Sequence, residues 1–143
     1  MANKGFIARA KHADGSEAIF RYFHPKPDDW QAYPEEISIR WEYPGGALPD
    51  DEVRAAMDEL EEALDPLLDG DESRATLPLV ITGLGVREWA YYARSYQDFM
   101  SGLNELLADL PRFPIQINHS SDPEWRYWHD YVDRLMEAPE DQG

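Results

Sequence analysis

The chain has 143 residues, 43% of them hydrophobic and 13% aromatic, which is enough for one packed core and unlike a disordered composition. It has no cysteine, so disulfides, thiolate nucleophiles and cysteine-ligated zinc are excluded. The formal net charge is −16 and no cluster of Lys and Arg occurs, so no direct nucleic-acid binding is expected.

The start, MANKGF, lacks the apolar core of a signal peptide. No run reaches the roughly 18 to 20 apolar residues of a membrane span. The expectation is a cytoplasmic protein without membrane contact, folded as a single α+β domain over residues 1–137 with a frayed polar tail at 138–143.

Taken in order, Phe6–His12 and Ala18–Phe23 flank Asp14-Gly15, a strong turn signal, and form an expected β-hairpin. Ile19, Arg21 and Phe23 share one side of its second strand, Phe20 and Tyr22 the other. A proline-rich connector follows, which Trp30 or Tyr33 anchors. From Glu36 to Tyr43 the alternation is clean: Ile37, Ile39, Trp41 and Tyr43 face one way and Ser38, Arg40 and Glu42 the other.

Asp50 then caps a helix that begins Asp51-Glu52, acids that the macrodipole favours there. Val53, Met57, Leu60, Leu64 and Leu67 recur at steps of three or four and leave the opposite face acidic. Pro66 ends the regular helix near Asp65. Between Asp50 and Glu72, eleven carboxylates stand against the single cation Arg54, so −10 of the net −16 lies in one segment.

Leu77–Thr82 is apolar on both sides, as in a buried strand, but Pro78 assigns it to a sheet edge. Gly83-Leu84-Gly85 turns the chain into Arg87–Arg94, with Trp89 and Tyr91 on one side and Glu88, Ala90 and Tyr92 on the other. Ser95 and Asp98 cap the next helix, whose stripe is Phe99, Leu103, Leu106, Leu107 and Leu110. Phe113–His119 alternates as a last strand, and Ser121-Asp122-Pro123-Glu124 starts a final helix carrying Trp125, Trp128, Val132, Leu135 and Met136.

From Glu36 onward the order is β-α-β-β-α-β, then a helix. That is the ferredoxin-like pattern, with two helices on one face of an antiparallel sheet. Right-handed crossovers put 36–43 and 87–94 in the centre and 77–82 and 113–119 at the edges. The N-terminal hairpin and C-terminal helix are extras: each either extends an edge or covers the open face.

Chemistry is sparse. Gly83-Leu84-Gly85 lacks the third glycine and following helix of a nucleotide loop. Asp69-Gly70-Asp71-Glu72 lacks calcium-loop spacing. His12, His24, His119 and His129 form no HExxH or close pair, although His119 and His129 meet if the last helix folds back. No GxSxG or triad is present. Asp122 and Glu124 have the look of an acid and base pair, but helix capping accounts for both. No catalytic residue, metal site or cofactor is therefore assigned, and no enzymatic activity finds positive support.

The hairpin TGLGVREWAYYAR, the following helix with Phe99 and Leu103-Asn104, and DPEW at 122–125 followed by Tyr127 resemble the bacterial domain of unknown function 695 family (DUF695). Trp41 and Pro49 fit the same pattern, and the resemblance runs from Ile19 to Tyr131. That family has no assigned activity to carry over. A more distant likeness, in size, acidity and hairpin, is to the ribonuclease E inhibitor family (regulator of ribonuclease activity B).

The expected function is a non-catalytic regulatory or protein-interaction module, its acidic surface (Asp51, Asp58, Glu59, Glu61, Glu62 and Asp65) meeting a basic protein partner. The alternatives are a small-ligand binder or hydrolase with an aromatic pocket of Trp89, Tyr92, Trp125 and His129, and an immunity-type inhibitor of a basic enzyme. Oligomeric state is not legible.

Overall fold

A computed structural model of the chain describes residues 4–11, 17–24, 26–45, 48–68 and 74–137. They form strands β1 (Lys4–Lys11), β2 (Glu17–His24), β3 (Glu35–Glu42), β4 (Ala75–Gly83), β5 (Val86–Ala93) and β6 (Ile115–Ser121), with helices α1 (Asp51–Leu64), α2 (Tyr96–Leu107) and α3 (Arg126–Glu137). The strands make one antiparallel sheet in the order β1-β2-β4-β5-β3-β6. The hairpin turn at Asp14-Gly15, His12, the Asp69–Glu72 turn, the Met136 side chain and the tail from 138 lie outside the described residues.

The period of two decides what each strand gives to each face. Ile37, Ile39 and Trp41 of β3 and Trp89 and Tyr91 of β5 point to one side. There they meet Met57, Leu60 and Leu64 of α1 and Phe99 and Leu103 of α2. On the other side Tyr92 and Ala90 of β5, Leu79 of β4 and Tyr22 of β2 pack under Trp125, Trp128 and Val132 of the α3 region. The molecule therefore has three layers, with a core on each face of the sheet. Each fully buried Leu, Ile or Phe contributes about 1.5–3 kcal/mol by leaving water.

Local signals place the helix ends. The Asp50 carboxylate accepts the Val53 N–H at 2.9 Å, and the Ser95 hydroxyl accepts the Asp98 N–H at 3.2 Å. Pro66 ends α1, and a 3-10 turn over Asp65–Leu68 keeps Leu67 buried.

Three expectations need correction. The first concerns the strand at 77–82, which is interior. The N-terminal hairpin extends the sheet by pairing β2 with β4, so among the described residues the edges are β1 and β6. Pro78 is tolerated because pairing with β2 stops at Tyr22↔Leu79, and β4 shifts register against β5 between Thr76 and Leu79. That bulge hides the missing N–H and flips the alternation, so Leu77 and Val80 face the same layer.

Second, the last strand starts at Ile115, after Pro114, and leaves Phe113 outside it. Third, the last helix begins at Arg126, not at Ser121–Glu124. Asp122 to Trp125 instead forms a turn, and Trp125 leaves it at φ 58, a left-handed conformation that no helix continues through.

The Gly83-Leu84-Gly85 turn is architectural. Leu84 and Gly85 have φ 54 and 82, the positive values a tight two-residue hairpin needs. Gly83 has a separate constraint: a Cβ there would lie 2.8 Å from the Glu17 carbonyl oxygen and 2.9 Å from the Ala18 Cα. The close approach of β2 requires this glycine, with no role for a phosphate.

Candidate functional site

Helix α1 presents its two faces unequally. Asp51, Asp58, Glu59, Glu62 and Asp65 are exposed along its outer side. Cations stand beside some of them: Arg54 lies 2.8 Å from Asp51, and Arg87 lies 3.7 Å from Asp58. The Arg54–Asp51 pair is exposed on both sides and contributes little to stability, whereas the Arg87 side chain is only 12% exposed.

Glu61 is different from its neighbours. It turns toward the sheet, accepts two hydrogen bonds from Arg21 of β2 at 2.7 and 2.6 Å, and accepts the indole N–H of Trp89 at 2.9 Å. Burial opposes its charge, but the Arg21 and Trp89 bonds outweigh that and hold its pKa below the usual carboxylate range. Glu61 is a structural anchor beneath the acidic face, so five of the six acids expected there are exposed.

Beside Glu61 lies an open cleft of about 400 Å³, lined by Arg21, Asp58, Glu61, Glu62, Asp65 and Arg87. Arg87 donates through Nε to the Thr82 hydroxyl at 2.8 Å. Burial lowers its pKa, as does the nearby Arg21 charge, while Asp58 and Glu61 act in the opposite sense. The cleft is thus lined by four acids and two arginines.

The four aromatic-pocket residues do not converge. Trp89 packs on the α1 side of the sheet, whereas Tyr92 and Trp125 belong to the α3 side. Tyr92 and Trp125 stack on each other at 4.1 Å, and both are fully buried, so they fill space and enclose none. His129 sits at the margin against Asp133 and Lys26. Alternation along β5 already set Trp89 apart from Tyr92, whereas the side on which Trp125 and His129 lie depends on which face α3 covers, a tertiary choice. The two histidines do not pair either: His119 stacks on Tyr96 of α2 and contacts Glu35.

The turn before α3 concentrates the buried polarity of this side. Asp122 accepts the Tyr92 hydroxyl at 2.7 Å and the N–H groups of Arg126 and Tyr127 at 2.8 and 3.0 Å. Trp125, strained at φ 58, is pinned by its indole N–H on the Tyr33 carbonyl at 3.0 Å. The DPEW segment therefore welds α3 to the sheet. Residues 14–132 match a family described as "Family of unknown function (DUF695)".

The chain belongs to the DUF695 family. No curated protein and no solved structure matches it, so the likeness to the ribonuclease E inhibitor rests on size, charge and hairpin alone. The match ends inside α3 and leaves β1 outside.

One feature of this DUF695 chain escaped the sequence reading. Glu36, only 5% exposed, lies on the α3 side of β3, hydrogen-bonded by Ser38 and, at 3.4 Å, by Ser120. Burial raises its pKa to about 7, with Glu88 and Asp122 adding repulsion and the serine hydrogen bonds opposing. Nearby, Glu88 accepts the Tyr127 hydroxyl at 2.6 Å and faces Arg40 at 3.4 Å. The available signal was the alternation that turns Glu36, Ser38 and Arg40 away from the α1 side. These groups satisfy one another. Among the described residues, no group of three or more His, Asp or Glu could hold a metal, and no helix is long and apolar enough to cross a membrane.

Proposed function

We propose that this DUF695 protein is a non-catalytic regulatory or interaction module that engages a basic protein partner through the acidic face of α1. One observation carries this reading. Asp51, Asp58, Glu59, Glu62 and Asp65 are exposed along one helix, while the acid used to hold the fold together, Glu61, is turned away from them. A field of one sign on one face speeds association with an oppositely charged partner and weakens with salt. The dissolved aromatic pocket removes the main support for a ligand-binding or hydrolytic reading.

We further read the run from β3 to β6 as a ferredoxin-like unit that the β1–β2 hairpin widens at β4. The adjacency β4-β5-β3-β6 supports this. A cytoplasmic setting fits the absence of cysteine.

The test is a salt titration of a complex captured from host lysate, with Glu59→Lys and Glu62→Lys beside the wild type. Affinity should fall steeply between about 0.05 and 0.5 M salt, and each reversal should weaken binding. An affinity indifferent to ionic strength and to both reversals overturns the acidic-face reading.

A further inference from the structure

The connector between β2 and β3 meets helix α3 through a row of three titratable side chains. His129 and Asp133 stand four residues apart on α3 and therefore share one face of it. Lys26 comes from 103 residues earlier in the chain and places Nζ 2.9 Å from His129 Nε2. On the far side of the ring, His129 Nδ1 lies 3.1 Å from an Asp133 carboxylate oxygen. An ammonium only donates, so Nε2 accepts and the ring proton sits on Nδ1, directed at Asp133. The row reads amine, imidazole, carboxylate.

Local structure holds it in place. Lys26 precedes Pro27, which favours extended backbone there. The Trp30 N–H donates to the Pro27 carbonyl at 3.0 Å, a turn that brings the Trp30 indole under Lys26, with Nζ 3.6 Å from the ring centroid. The buried Trp128 meets the His129 ring edge-on at 4.8 Å. The row is still within reach of water: Lys26 is half-buried, and the side chains of His129 and Asp133 are 37% and 57% exposed.

A lysine attacks a carbonyl carbon only after losing a proton. A base within hydrogen-bond reach, itself oriented by a third group, is the arrangement that activates such a nucleophile. We propose that Lys26 is a covalent attachment site for neutral aldehydes, with His129 as the base that frees the amine and Asp133 as the group that positions the imidazole. His129 Nε2 takes a proton from the ammonium, and the freed electron pair forms the N–C bond at the aldehyde carbon. An N–H proton then moves to the former carbonyl oxygen. His129 returns its own proton as that hydroxyl leaves as water, the C–O bond breaks and the C=N bond forms, giving a protonated imine without redox change.

The Trp30 face works against the first step by favouring the ammonium about fivefold, whereas a positioned base typically supplies about 10²-fold or more, so activation wins. Charge selects the electrophile. A chain of net charge −16, with Asp28 and Asp29 in the same connector, disfavours anionic carbonyl compounds and leaves uncharged ones. Helix α3 lies across the sheet from α1, so the proposal is independent of the acidic docking face.

Lys4, Lys11 and Lys26 are the three lysines of the chain, so every molecule carries its own references. The full chain is treated with benzaldehyde and cyanoborohydride, which traps each imine as a benzylamine, and labelling at each lysine is followed by peptide mass mapping. Lys26 should label about tenfold faster than Lys4 and Lys11, and urea should erase that lead. His129→Gln keeps an acceptor for Lys26 but takes no proton, so it should bring Lys26 to the pace of the other two, with melting curves confirming the fold. Asp133→Asn should shrink the lead without abolishing it. Lys26 labelling no faster than Lys4 and Lys11, a lead that survives urea, or a lead that His129→Gln leaves intact each overturns the proposal.

Discussion

The Arg21 guanidinium meets the Glu61 carboxylate end-on, its two terminal nitrogens donating hydrogen bonds of 2.7 and 2.6 Å that join β2 to α1. The same carboxylate accepts the indole N–H of the buried Trp89 at 2.9 Å. One acid of an acidic helix thus ties the added hairpin to the central sheet. Arg21 is 45% exposed, so the ion pair alone contributes at most about 1 kcal/mol. The larger cost of losing Glu61 is the orphaned indole donor. Glu61→Ala should destabilise by about 2 kcal/mol in urea unfolding, whereas Glu59→Ala should stay within about 0.5 kcal/mol. Equal effects would refute the distinction between anchor and surface acid.

Glu36 makes stability fall as pH rises. Its folded pKa is about 7 against an ordinary value of 4.5. Between those values the folded state holds a proton that the unfolded state has released, so the penalty is absent below pH 4.5 and complete above 7. A shift of that size corresponds to about 3 kcal/mol at most. Glu61 titrates in the opposite sense, because its folded pKa is lowered. The clean readout is therefore the difference between wild type and Glu36→Gln. The variant should gain stability relative to wild type from pH 5 to pH 8, and a flat difference would refute the buried proton.

The β4–β5 turn should respond oppositely at adjacent positions. Leu84 is 56% exposed and sits at φ 54, so it pays a left-handed cost with no packing in return. Leu84→Gly or Leu84→Asn should stabilise by up to about 1 kcal/mol, a rise of about 3 °C in melting temperature. Gly83→Ala drives a methyl into the backbone of β2 and should cost more than about 2 kcal/mol.

Asp122 supports the last helix from outside it. Replacing it with Ala removes the acceptor for Tyr92 and for the Arg126 and Tyr127 N–H groups, and should cost about 2–4 kcal/mol. Hydrogen exchange at the Arg126 and Tyr127 amides should accelerate first, before the strands are affected. Uniform acceleration across the sheet would show that the contact is global instead.

By itself, the sequence determined what depends on near neighbours. Alternation along 36–43 and 87–94 sorted Ile37, Ile39, Trp89 and Tyr91 from Ala90 and Tyr92. Asp50 and Ser95 capped the first two helices where expected, and Pro66 stopped α1. The family was also legible, because TGLGVREWAYYAR and DPEW are contiguous segments. Tertiary structure decided the rest. Whether the hairpin adds to the sheet or covers it depends on which edge is vacant, a property no local pattern encodes. Pro78 assigned β4 to an edge only until a bulge absorbed its missing N–H. The aromatics of β5 and α3 scatter because the sheet separates its two faces, and Glu61 looks like its acidic neighbours until Arg21 and Trp89 are brought to it.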